Sequence, residues 1–368
     1  MSVKDLMKRH LQNVKPYIPG KPVEELRREK NIKGEIIKLA SNENPYEPLD
    51  EIKRAIMDEI SQLGRYPNSG SHYLSHELAE HHGVEPGQIF VGNGSNEILD
   101  LLVRAFINPG EEAAYPFPSF IAYPLICQQA GVAEIKVPLK DYRLDLVALK
   151  DALTPATKMV FICNPNNPTG TYVTASEVDT FLEGLPDDIL VVFDEAYFEY
   201  VTADDYPDTK SILGKRENII ILRTFSKAFS LSGLRIGYSI SHVDLATCLH
   251  MVRQPFNVNR IAQIAARAAL RSRDGLKERI DENNQQREWV GDNLRKLGFD
   301  VPASQTNFLL AVPLEDKHEN LVGKMMDRGV IVRSANPWGL GKEAFRVSMG
   351  TPEENRIFLD VLGSILET

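Results

Sequence analysis

The chain has little that would tie it to a membrane, a nucleic acid or an oxidising compartment. Only three of its 368 residues are cysteine, Cys127, Cys163 and Cys248, and they are far apart and in no metal spacing. An odd, scattered set argues against a disulfide framework and reads as buried, reduced thiols. No apolar stretch approaches the length of a membrane span. The start, Met1-Ser2-Val3-Lys4-Asp5-Leu6, lacks the apolar core of a signal peptide. The expectation is a soluble, cytoplasmic protein. Positive charge is also short: 42 Lys and Arg stand against 51 Asp and Glu, a net charge of -9. That excludes a general nucleic-acid binder, whose affinity rests on a basic surface, but leaves room for a local basic pocket. There is no internal repeat and no low-complexity segment. A hydrophobic share of 43% with 25% charged residues is that of a folded chain, long enough for two domains.

From about Gln88 to Ile240 the pattern is strand, loop, helix, repeated. The apolar runs Ile89-Phe90-Val91, Met159 to Ile162, Ile189 to Phe193, Ile219 to Leu222 and Ile236 to Ile240 read as buried parallel strands. Between them, Ile98, Leu101, Leu102 and Ala105 fall on one helix face behind a capping Ser95. Such alternation implies an α/β fold, with a mostly parallel sheet flanked by helices. After Asn259 come two long helical patterns, Ile261 to Leu270 and Leu276 to Leu297, then short strands over Asn307 to Val312 and Ala344 to Met349. The last helix starts with Thr351 as cap, Pro352 first and Glu354 closing a capping box. The expected organisation is an N-terminal arm (residues 1–42, without strands) on a small α+β domain (261–368), and a large domain between them (43–260).

Ligands on parallel sheets bind past the carboxyl ends of the strands, and polar residues cluster there. Thr224-Phe225-Ser226-Lys227, with Arg235 nearby, sets one lysine among hydroxyls and an arginine. Desolvation lowers a lysine's pKa and makes it a nucleophile. The hydroxyls and the arginine suit a phosphate. Pyridoxal 5'-phosphate (PLP) needs both, together with a carboxylate for its ring nitrogen. Asp194 ends an apolar strand and can be that carboxylate, with Tyr197 three residues on. Asn164-Pro165-Asn166-Asn167-Pro168-Thr169-Gly170 is a rigid turn whose amides can reach a phenolate oxygen. Gly92-Asn93-Gly94-Ser95-Asn96-Glu97 leads into a helix N-terminus, an anion site. Arg346, Arg333 and Tyr17 suggest an anionic substrate. His72, His76, His81 and His82 lack a completing carboxylate or cysteine, so they read as surface histidines and no metal is expected.

Together these motifs resemble the fold-type I PLP aminotransferases, and most closely the histidinol-phosphate aminotransferase family. The similarity covers nearly the whole chain and includes Ser41-Asn42-Glu43-Asn44-Pro45, Arg65-Tyr66-Pro67 and Arg346-Val347-Ser348. The resemblance implies that Lys227 forms the Schiff base and shuttles the proton, that Asp194 pairs with the ring nitrogen, and that Asn167 and Tyr197 bind the phenolate oxygen. It implies that Thr224, Ser226, Arg235, Ser95 and Asn96 hold the phosphate and that Phe120 stacks on the ring. Tyr66 would reach the cofactor of a second subunit in a homodimer. Arg346, Arg333, Tyr17 and Asn44 would form the substrate site, with glutamate and 2-oxoglutarate as the other pair. The chain departs from the family's pattern at Glu47, where glycine is usual, and at Phe120, where tyrosine is common. Glu47 is expected to set an anion near the pocket. An aromatic amino acid aminotransferase, a PLP-dependent decarboxylase of a phosphorylated amino acid and a PLP-binding regulator without turnover remain alternatives.

Overall fold

The computed structural model describes residues 3–12, 14–16, 23–30, 34–315 and 317–367. The strands in chain order are β1 (Ile37–Lys38), β2 (Ile89–Gly92), β3 (Glu112–Phe117), β4 (Ala133–Pro138), β5 (Thr157–Cys163), β6 (Leu190–Asp194) and β7 (Ile219–Thr224). They continue with β8 (Gly237–Ser241), β9 (Phe299–Asp300), β10 (Phe308–Pro313), β11 (Val330–Ile331), β12 (Arg333–Ser334) and β13 (Phe345–Ser348).

Seven of them form one sheet in the order β2-β8-β7-β6-β5-β3-β4. The pairs β3/β4, β3/β5, β5/β6 and β6/β7 are parallel. Their central members are buried throughout save for Lys158 near the start of β5, as near-continuous Val, Ile and Phe runs require when helices cover both faces. One face packs Phe90, Phe161 and Val192 against the helices Ser95–Phe106 and Ala122–Ala130, the latter contributing Tyr123. The other packs Val160, Val191 and Phe193 against Val178 and Phe181 of the helix Ala175–Leu182. That helix begins at a Thr174–Glu177 capping box.

The smaller sheet has the order β12-β13-β10-β9, with all neighbours antiparallel. The long helix Arg273–Lys296 and the last helix, Pro352–Leu366, close its core through Val290, Leu294, Phe358 and Leu362. The last helix carries the expected Thr351, Pro352 and Glu354 signals.

Four expectations are corrected. Gly237–Ser241 is antiparallel to both neighbours, because the chain returns directly from β7 without a helical crossover. Two strands, β3 and β4, lie where no strand was expected. The N-terminal stretch is not without strand structure: β1 pairs in parallel with β11. Ser95 is the first helical residue rather than the cap, a place taken by Gly94 at φ +79°.

Candidate active site

The carboxyl ends of β5, β6 and β7 converge on a cavity of about 240 Å3. β7 ends on Thr224, the loop after it brings Ser226, Lys227 and Arg235, and β6 ends on Asp194 at the wall. Ser95 and Asn96 contribute the N-terminus of the helix Ser95–Phe106. Asn167, Tyr197 and Phe120 also line it, as do Arg333 and Arg346 from the smaller sheet. Twelve residues expected from the sequence therefore meet in one place.

Asp194 is buried. Its Oδ2 accepts from the Tyr123 hydroxyl at 2.9 Å, whereas Oδ1 has no hydrogen-bond partner and no access to water. Burial pushes its pKa up to about 6, against the pull of Tyr123 and the Ala196 amide. An ionised carboxylate with one oxygen unpaired suits a cationic N–H donor in the cavity.

Lys227 is half-buried, and its Nζ donates to the carbonyls of Asn42 at 3.1 Å and Ser41 at 3.3 Å. Burial, then the nearby Arg346, lowers its pKa to about 7. A lysine in this range is part neutral at neutral pH and is a competent nucleophile and base.

Arg235 sits at φ +55° and donates to Ser226 Oγ at 3.3 Å and to the Ser232 carbonyl at 2.9 Å. A Cβ on Gly94 would lie 2.6 Å from Arg235 Nη2. The glycine thus lets the guanidinium close against the helix N-terminus, whose free N–H groups favour an anion. The Thr224 hydroxyl is engaged within the loop, accepting from the Ser226 amide at 3.1 Å and donating to the Ile236 carbonyl at 3.3 Å.

Arg346 is buried, with its guanidinium carbon 5.3 Å from the Phe308 ring centroid and 5.5 Å from that of Trp338. It donates to Asn167 Oδ1 and to the Ala40 carbonyl, both at 2.6 Å. Arg333 is its direct partner across β12 and β13.

Behind these groups Arg223 and Glu195 form a buried ion pair with Nε–Oε2 and Nη2–Oε2 distances of 2.9 and 2.7 Å. The Thr209 hydroxyl donates to the other oxygen of Glu195 at 2.6 Å. The pair ties the residue after Asp194 to the residue before Thr224.

Two expected residues lie elsewhere. Asn44 is outside this cavity, because its side chain turns to donate to the Ala228 carbonyl at 2.9 Å. Tyr66 is 78% exposed and stacks on Phe256 with centroids 4.5 Å apart. Tyr17 falls outside the described residues. Glu47 does not set an anion at the cavity, since its carboxylate is exposed and pairs with Lys53 at 3.2 Å. His82 is buried rather than on the surface, with Nε2 2.9 Å from the Tyr238 hydroxyl. Among the described residues no group of His, Cys, Asp and Glu is arranged to hold a metal. Asn42, Tyr123 and Trp338 had gone unnoticed in sequence: nothing in the spacing marks Tyr123 or Trp338, whereas Asn42 stands in the motif that contains Asn44.

Residues 34–362 match the model of the class I and II aminotransferases, and the chain belongs to that family. It is accordingly a PLP-dependent enzyme that transfers amino groups. Among named relatives, histidinol-phosphate aminotransferase 2 of Carboxydothermus hydrogenoformans is 41% identical over 364 residues, covering 98% of this chain and 99% of that protein. Histidinol-phosphate aminotransferase of Brevibacillus brevis is 42% identical over 360 residues, 98% of each chain. Among solved structures, histidinol-phosphate aminotransferase from Sinorhizobium meliloti in complex with pyridoxal-5'-phosphate superposes with a TM-score of 0.88 at 27% identity, covering 98% and 97% of the two chains.

Proposed function

We propose that the chain interconverts L-histidinol phosphate and imidazole-acetol phosphate, with glutamate and 2-oxoglutarate as the second pair, in histidine biosynthesis. The observation that carries this reading is the opposition of Arg333 and Arg346 across two strands on the wall of the same cavity. Like charges directly opposite destabilise a sheet. Their placement makes sense where a strongly charged anion lies between them and the reacting groups, and a phosphate takes more charge-assisted hydrogen bonds than a carboxylate.

Bound PLP supplies an electron-accepting ring on which an amino group can be exchanged. The chain's own groups fit that cofactor, as the unpaired Asp194 Oδ1 and the close-packed Gly94–Arg235 cradle indicate. In the proposed arrangement Asp194 keeps the ring nitrogen protonated. Ser226, Arg235, Thr224 and the amides of Ser95 and Asn96 hold the phosphate, and Phe120 covers the ring. Asn167 and Tyr197 donate to the phenolate oxygen. Lys227 would hold the cofactor at the cavity floor, and its Nζ, when free, would take the α-proton as general base. Arg346 and Arg333 orient the substrate anion. Two half-reactions on one site give ping-pong kinetics.

Three further readings belong to this proposal. The chain divides into an arm (1–42), a large domain (43–260) and a small domain (261–368). Packing of Ile37 and Leu39 with Phe345 and Val347 supports joining the arm's end to the small domain. The enzyme is a homodimer in which Tyr66 serves the other subunit. Exposure of Met57, Ile60, Leu63 and Tyr66 supports an apolar contact there. It works in the cytoplasm, a reading supported by the soluble chemistry of its substrates; no helix among the described residues is long and apolar enough to cross a membrane.

The test adds histidinol phosphate or phenylalanine to the PLP-loaded protein and follows the cofactor's absorbance. Loss of the lysine-bound band with histidinol phosphate at far lower concentration is expected. Preference for phenylalanine would refute the substrate and keep the aminotransferase. Arg346→Ala should cost at least about tenfold in kcat/KM for histidinol phosphate, the loss of one charge-assisted hydrogen bond or more. An unchanged value would place the anion elsewhere.

A further inference from the structure

We infer that Asn42 is a positioning residue of the reaction, acting through Tyr197 to fix where the phenol's proton points. The inference rests on the proposed role of Tyr197. A tyrosine hydroxyl has one proton to donate and two lone pairs with which to accept. In this structure both acceptor positions are filled. Asn42 Nδ2 donates to the Tyr197 oxygen at 2.9 Å and Asn167 Nδ2 donates at 3.3 Å. The amide orientations are set from behind. Asn167 Oδ1 accepts from the Arg346 guanidinium, which can only donate. Asn42 Oδ1 accepts from the Ser348 hydroxyl at 3.1 Å, and that hydroxyl in turn accepts from the Asn42 amide N–H at 2.8 Å. With its lone pairs taken, the Tyr197 hydroxyl is left to donate, and Tyr197 lines the cavity.

The placement of Asn42 is costly and specific. It is 1% exposed and adopts φ +52°, a region that asparagine tolerates better than most residues. That twist lets one residue serve three groups. Its side chain holds Tyr197, its carbonyl accepts from Lys227 Nζ, and the same carbonyl accepts from Asn307 Nδ2 at 3.2 Å. Asn44, two residues on, makes none of these contacts.

A donor on the phenol oxygen makes its own O–H a stronger donor. A stronger donor draws charge from the cofactor's phenolate oxygen, so the adjacent proton at the lysine linkage is held less tightly. Removing the Asn42 amide should therefore move the pH midpoint of the bound cofactor's absorbance upward. The experiment is a spectrophotometric pH titration of PLP-loaded wild type, Asn42→Gly, Asn42→Asp, Tyr197→Phe and the double variant Asn42→Gly/Tyr197→Phe. Glycine keeps the positive φ, so it separates the amide from the backbone. Asn42→Gly is expected to raise the midpoint by about half to one pH unit, the size of one hydrogen bond. Asn42→Asp is expected to raise it further, because a carboxylate turns the phenol's proton back toward itself. In the Tyr197→Phe background, Asn42→Gly should add no further shift.

An unshifted midpoint in both single Asn42 variants overturns the inference, as does a shift that persists undiminished without the Tyr197 hydroxyl. Far-ultraviolet circular dichroism of each cofactor-free variant shows that the fold is retained. Should wild type itself show no lysine-bound band, it is the underlying reading of the site that fails.

Discussion

Replacing Tyr123 with phenylalanine should make the cofactor-free protein's stability depend on pH in a way the wild type's does not. Tyr123 is fully buried and stacks on Phe161 with centroids 4.8 Å apart, so the loss of one oxygen leaves packing nearly intact. Its hydroxyl donates to Asp194 Oδ2 at 2.9 Å, the nearest side-chain support the buried carboxylate has. A hydrogen bond to a charged group contributes roughly 1.5–3 kcal/mol and one between neutral groups about 0.5–1.5. The variant therefore loses about 1–2 kcal/mol more when Asp194 is ionised than when it is protonated. Wild-type Asp194 titrates at about 6 in the fold, above its ordinary value near 3.8. A carboxyl whose folded pKa is raised binds more protons folded than unfolded, so stability falls as pH rises between those two values. In Tyr123→Phe the folded pKa goes higher, and the fall continues past pH 6. Urea denaturation of the two cofactor-free proteins at pH 5 and pH 9 measures this. The penalty of the variant should be about 1–2 kcal/mol larger at pH 9 than at pH 5. A penalty equal at both pH values would mean that Tyr123 does not hold the Asp194 charge.

Lys227 should react as an unusually acidic amine: in cofactor-free protein, borohydride trapping of pyridoxal on this residue should rise with a midpoint near pH 7, where burial and Arg346 place its pKa. A midpoint near that of an ordinary lysine, above pH 10, would refute the desolvation argument. Arg223→Met should cost roughly 3–5 kcal/mol by leaving Glu195 buried and unpaired, whereas Arg223→Met/Glu195→Leu should recover most of that loss. Denaturant midpoints of the three proteins decide it; equal losses in the single and double variants would show that the pair's charge is not what matters.

The sheet's central strands were legible because their burial is continuous. Val191, Val192 and Phe193 have no polar face to interrupt the run. The strand Glu112–Phe117 escaped notice because it carries two alanines and a proline, and Ala133–Pro138 because an edge position leaves most of it part exposed. Nor does any local pattern record strand direction: Gly237–Ser241 has the same buried composition as its parallel neighbours. At the site, polar residues past strand ends announced themselves. Tyr123 did not, since a buried helical tyrosine looks like core until the carboxylate beside it is known. Between Asn42 and Asn44 the sequence offers two similar amides, and only the backbone twist at the first decides which of them reaches Tyr197.

The direction of Gly237–Ser241 has a kinetic consequence. Because this strand runs back beside Ile219–Thr224, the chain leaves and re-enters the sheet at the same end, with the Phe225 amide bonded to the Ile236 carbonyl at 3.1 Å. Lys227 and Arg235 thus ride on one short loop pinned at both feet. On the proposed reading, one attachment of the cofactor is made and broken in every cycle while the other is not. On that reading the lysine would be displaced without loosening the arginine, and residence of the cofactor would be decoupled from turnover of the substrate.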